Sequence, residues 1–166
     1  MKALIKTLLL TICTLTAFSQ DFEVPANYKF ATADDYTLHQ DDVIRGIDWL
    51  MATPLNEQQE KRKAVNAFVL AWLTGSPTVH VEVKPDIVTF IGKSPDLLMM
   101  FLGGWAKHAL QTPGGGDKVS GTMAGLEAVI DFYTRNKEKI GRDKAVEKYI
   151  KMKEKGTLQD YVKEHA

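Results

Sequence analysis

Residues 94–110 constrain this chain more tightly than any other stretch. Ser94-Pro95-Asp96 is a complete helix start, with a capping hydroxyl, a proline at the first helical position and a carboxylate on the positive end of the dipole. Leu97 to Leu102 follow without a polar side chain, and then come Gly103, Gly104, Trp105, Ala106, Ala109 and Leu110. A helix that is apolar nearly all round has to be covered on all sides. Other elements must therefore surround it, and the sequence offers helices for that purpose. The pair Gly103-Gly104 costs a helix about 1 kcal/mol per glycine relative to alanine, so a close approach of another backbone, or a kink, is expected there. Gly121 and Gly125, four apart on a later helix, are the expected partners.

The surrounding helices follow from spacing. Asp41 and Asp42 open one whose apolar stripe is Val43, Ile44, Ile47, Leu50 and Met51, ending before Pro54. Asn56, with Gln59 three positions on, is expected to cap the next, whose stripe of Val65, Phe68, Val69, Trp72 and Leu73 stops at Gly75-Ser76-Pro77. Val119, Met123, Leu126, Ile130 and Tyr133 mark a helix after the loop Thr112 to Gly116. Two more are expected over Asp143 to Glu154 and Leu158 to His165, separated by Gly156.

Residues 78–83, Thr-Val-His-Val-Glu-Val, alternate at period two and read as an extended segment, although a strand there has no evident partner. Asp86 is expected to begin a short helix ending at Gly92. The fold class is therefore all-α: an irregular bundle of about six helices, with one short extended segment near 78–83.

The chain opens with Lys2 and Lys6 around an uncharged apolar run that continues to Phe18, and Ala17-Phe18-Ser19 places small side chains before Gln20. This is the pattern of a cleaved signal peptide over residues 1–19. About a dozen apolar residues make roughly 18 Å of helix, short of a roughly 30 Å hydrocarbon core, so no stable membrane anchor is expected after cleavage. Removal of residues 1–19 leaves 147 of the 166, read as an extended lead-in over 20–33 and one helical domain over 34–166. Cys13 is the only cysteine and leaves with the leader. An exported chain without a disulfide points to the bacterial periplasm or to bacterial secretion. Lipidation of Cys13 does not fit, because Ile12 precedes it.

After cleavage 19 basic side chains face 21 acidic ones. Acidic residues crowd positions 21–60, and nine Lys or Arg against four Asp or Glu occupy Arg135 to Lys155. The ordinary reading is two solvated faces, with attraction between the ends of one or two molecules as the alternative. The basic run lacks interleaved aromatics, so no nucleic acid partner is expected.

Motifs for catalysis or cofactors are sparse. The four histidines lack metal-site spacing, and His39 beside Asp41 and Asp42 reads as a surface histidine near helix-capping carboxylates. Gly114-Gly115-Gly116-Asp117-Lys118 departs from the nucleotide-binding register and reads as an interhelical loop. Glu127 and Asp131, at i and i+4 on one helix, with His108 or His80, are the candidates for acid-base work. Phe68, Trp72, Met99, Met100, Phe101 and Trp105 are the candidate lining of an apolar ligand site, against the ordinary reading of a core stripe. No cofactor and no metal is expected. The function that follows is an exported, non-enzymatic binding module for a partner protein or an apolar small ligand; the alternative is a small envelope hydrolase using acid-base carboxylates.

Overall fold

The computed structural model describes residues 21–92 and 94–166, so the expected leader and Cys13 lie outside the described residues. Among these residues the regular structure is helical throughout, with seven α-helices and no strand. They are α1 (Ala33–Leu38), α2 (Gln40–Ala52), α3 (Gln59–Gly75), α4 (Pro95–Gln111), α5 (Lys118–Ile140), α6 (Lys144–Glu154) and α7 (Leu158–His165), with a 3-10 turn at Pro113–Gly115.

Helix α4 is the hub, packed against α2, α3 and α5, while α6 and α7 cover the far side of α5. Its pairing with α5 is an antiparallel hairpin whose register is set by rings resting on glycines. A Cβ on Gly125 would stand 2.7 Å from the Phe101 ring, and one on Gly121 would stand 2.5 Å from the Trp105 indole. At Gly104 the neighbour is backbone: a Cβ would meet the Ala124 carbonyl oxygen and the Ala128 methyl, each at 2.7 Å. Gly103 faces the other way, toward Ile47 of α2 at 3.2 Å. The close approach expected from the paired glycines is therefore met at Gly104, and the helix stays continuous.

Where side chains cap helices locally, the starts follow. Asp117 and Ser120 form a reciprocal capping box on α5, and the Asp143 carboxylate accepts from the Ala145 and Val146 N–H groups at α6. One helix beyond expectation, α1, begins where the extended lead-in ends, started by a second capping box between Thr32 and Asp35.

Three expectations are corrected. Asn56 does not cap α3; the N-cap is Gln58 in a left-handed conformation, and the Asn56 side-chain Oδ1 accepts from Lys139 instead. No helix forms over 86–91, where the chain makes successive turns. The Ser94 hydroxyl makes no capping bond at the start of α4 and donates to the Asp96 carboxylate at 3.3 Å instead. Residues 78–83, read as an extended segment without an evident strand partner, form no strand and run as a connector. Val79 of this connector is buried, as are Ile87, Val88 and Phe90 in the turns that follow.

The stretch from Ser76 to Ile87 is held by one side chain close in sequence and two distant ones. The Ser76 hydroxyl accepts from the Val79 N–H at 3.1 Å. The Tyr149 hydroxyl donates to the Ile87 carbonyl at 2.6 Å, and the Tyr161 hydroxyl donates to the Asp86 carbonyl at 3.0 Å. Burial pushes the Tyr149 phenol up from an ordinary 10.0 to about 12, which extends the range over which it stays protonated and donating into alkaline pH.

Candidate functional site

Arg62 is the one arginine inside the fold, 5 % exposed, on the inner face of α3. Its spacing places it one turn before Val65 on the same stripe that carries Val69 and Trp72. The guanidinium closes the C-terminal end of α2. Nη1 donates to the Leu50 carbonyl at 3.2 Å and Nη2 to the Thr53 carbonyl at 2.6 Å, with the Pro54 carbonyl at 3.4 Å. A cation at this end satisfies orphan carbonyls and faces the negative pole of the helix. The Trp49 and Phe132 rings lie 5.9 and 5.7 Å away. Burial draws the guanidinium pKa down, and the Asp96 carboxylate, 3.9 Å distant, opposes that shift.

Over Arg62 lies an open groove of about 390 Å³ between α3 and the start of α4, with Leu55 and Met99 as its apolar walls and Asn66, Asp96 and Lys63 as its polar ones. Two buried polar atoms on residues lining it, Arg62 Nε and Asn66 Oδ1, have no hydrogen-bond partner among the described residues. An unmatched buried donor or acceptor costs about 1–3 kcal/mol. This arrangement was not singled out from sequence, yet a charged residue on an apolar stripe was its visible signal.

The candidate apolar-ligand residues divide. Met99 lines this groove. Phe68, Trp72, Met100 and Phe101 are buried and Trp105 is 5 % exposed. They pack as core: Phe101 meets Trp105 edge-on at 5.9 Å, Phe68 sits under Tyr28 and Phe30, and the Trp72 indole N–H donates to the Tyr36 carbonyl.

The acid-base candidates divide as well. His108 and Glu127 line one groove of about 410 Å³ together with Asp117 and Ser120, and His108 Nε2 is buried without a partner among the described residues. Asp131 is not among the residues lining it; it stands two-thirds exposed with Lys153 at 4.0 Å, and Glu127 is half exposed with the same lysine at 3.9 Å. Asp117 and Ser120 are already engaged in capping α5, and hydrogen bonds from Ser120 hold the Asp117 carboxyl below its usual range. His80 lies elsewhere, beside Leu70 and Val81 in a separate groove. His39 bonds Asp42 at 3.0 Å, and its ring meets Phe30 and Phe68 edge-on.

Among the described residues no group of three or more His, Cys, Asp or Glu side chains is placed to hold a metal ion. Among them too, no helix is long and apolar enough to cross a membrane. No family model, curated protein or solved structure matches the chain.

Proposed function

We propose that this chain is an exported, non-catalytic binding protein, and that it takes a small, mostly apolar ligand with a hydrogen-bonding head in the groove between α3 and the start of α4. The observation that carries this reading is the pairing of apolar walls, Leu55 and Met99, with an unmatched donor and acceptor on Arg62 and Asn66. Pockets for small molecules combine apolar lining with a few placed polar groups in this way, at volumes of about 300–1,000 Å³. Asn66 is only partly buried, so its amide can turn toward a ligand that offers it a donor. Export rests on the charge and hydropathy pattern of residues 1–19.

Native mass spectrometry of the protein taken gently from its own host tests the reading. The expected spectrum carries an added mass that is lost on denaturation, and Met99→Trp, which fills the groove, removes that mass while the helical circular dichroism stays. An added mass that survives Met99→Trp, or a bare chain at every protein concentration, overturns it.

A second reading, an envelope hydrolase, is favoured by one observation: His108, with an unpartnered ring nitrogen, shares a groove with Glu127. A base must reach its proton at about 3 Å or through one water. Hydrolysis of acyl or glycosyl model substrates that falls at least a hundredfold in both His108→Ala and Glu127→Gln supports it; turnover unchanged in either variant refutes it.

A further inference from the structure

Lys144, Lys148, Lys151 and Lys155 are spaced four, three and four along α6 and its C-cap, which brings all four onto one helix face. All four are exposed, and with Arg142 they line a groove of about 500 Å³. The carboxylate lining this groove is already taken: Glu147 receives Lys137 on one oxygen and Arg142 on the other, each at 2.9 Å. None of the four lysines has a carboxylate within ion-pair distance among the described residues, whereas Lys153, on a different side of α6, lies at 3.9–4.0 Å from Glu127 and Asp131. Like charges at i, i+4 destabilise a helix by a few tenths of a kcal/mol per pair. The row is therefore a cost to the isolated fold, and an external anion would offset it.

We propose that this face docks a flexible, phosphate-bearing polymer. The other bearers of negative charge fit less well. A bilayer surface calls for several apolar side chains beside the lysines to enter the interface, but only the part-buried Met152 lies in this groove, the exposed large apolar residues Leu38, Leu70, Val83 and Ile91 stand on other elements, and Val146 and Tyr149 of α6 are buried. Single-stranded nucleic acid needs open aromatic faces for stacking. The nearest ring, Tyr161, is occupied by Lys148 at 4.4 Å and by His165 stacked at 4.1 Å. A second copy would have to present its acidic residues at 21–60, and most are engaged within their own molecule. Asp21 and Glu23 hold Lys61, Asp42 holds Arg45, Asp48 holds Lys107, and Glu60 holds Lys63.

The experiment is a titration of the full chain with inorganic polyphosphate at several salt concentrations, read by calorimetry. Four lysines each releasing a counterion predict a slope of log affinity against log salt of about −3, taking roughly 0.7 per contact for a single-stranded polyanion. Replacing all four by glutamine is expected to lower the affinity at least tenfold and flatten the slope, and replacing all four by arginine is expected to keep both. The control K84Q/K107Q/K118Q removes three lysines that have carboxylate partners of their own and is expected to leave the affinity within twofold. No binding at low salt, or an equal loss in the control, overturns the proposal. So do binding to phosphatidylglycerol vesicles without binding to polyphosphate, which assigns the face to a bilayer, and a salt-sensitive dimer without such binding, which assigns it to a second copy.

Discussion

Gly104→Ala tests the α4–α5 hairpin directly, because the neighbours of the added methyl cannot step aside. The new Cβ would lie 2.7 Å from the Ala124 carbonyl oxygen, where ordinary contact begins at 3.4 Å. The two helices must therefore part locally by at least 0.7 Å, the difference between those distances. A gap of that size forfeits about a quarter to a half of each contact well of 0.1–0.2 kcal/mol, and over roughly 40 atom pairs around the contact this is about 1–4 kcal/mol. Overpacked cores lose about 1–3 kcal/mol in general. Against this, alanine returns about 1 kcal/mol of helix propensity. The net spans about 0–3 kcal/mol of loss, and the middle of that range, about 1–2 kcal/mol, is the expected value. At about 3 °C per kcal/mol for a domain near this size, the midpoint falls by about 3–6 °C. Gly46→Ala is the matched control. Its Cβ would meet the side chains of Phe22 and Val65 at 3.1–3.4 Å, which can yield, so the propensity gain there roughly cancels the contact cost. Thermal and urea unfolding followed by circular dichroism, with coincident transitions, measure both variants. A Gly104→Ala protein as stable as the wild type, or less affected than Gly46→Ala, would refute the close approach.

Arg62→Ala strips three carbonyls at the end of α2 of their donor and leaves a void beside Trp49 and Phe132; urea unfolding is expected to show a loss of about 2–4 kcal/mol, and a change under 0.5 kcal/mol contradicts the capping role. Tyr149→Phe leaves the Ile87 carbonyl without its donor and is expected to cost about 1 kcal/mol, with faster hydrogen exchange confined to residues 85–92. Because the folded phenol titrates at about 12 against an ordinary 10.0, its contribution is complete below pH 10 and is lost as the pH rises toward 12. The wild type should therefore show an alkaline loss of stability that Tyr149→Phe lacks, and identical alkaline limbs in the two proteins would disprove the burial argument.

How legible each part of the molecule was depends on how far its cause lies along the chain. Pro95, Asp143 and the glycines at 104, 121 and 125 act within a turn or by their own lack of a side chain, so helix starts and the central hairpin could be read directly. Residues 76–92 could not, because their conformation is set from outside by Tyr149 and Tyr161. The alternating apolar side chains of 78–83 imitate a strand, but among the described residues the only side-chain partner of that backbone is the Ser76 hydroxyl, which accepts from Thr78 and Val79, and the tyrosines hold the turn after it. Asn56 is a similar case: a good capping residue by type, it is claimed by Lys139, 83 positions away. Among the site residues, the lysine row needed only counting, and Arg62 betrayed itself by sitting on an apolar stripe. The unmatched Asn66 oxygen had no signal at all, since only packing decides whether an amide is buried. Phe68, Trp72 and Phe101 show the converse: aromatic spacing identifies what is inside without telling a core from a cavity.

The clasp on residues 85–92 also fixes an order of events. Both hydroxyls that hold it, on Tyr149 and Tyr161, lie within the last eighteen residues of the chain. A chain emerging N-terminus first would have α1 to α5 complete while the Asp86 and Ile87 carbonyls still lacked the donors that α6 and α7 bring. Loss of the final helix by a premature stop or by a peptidase would remove one of the two hydroxyls and leave Tyr149 alone to hold the segment.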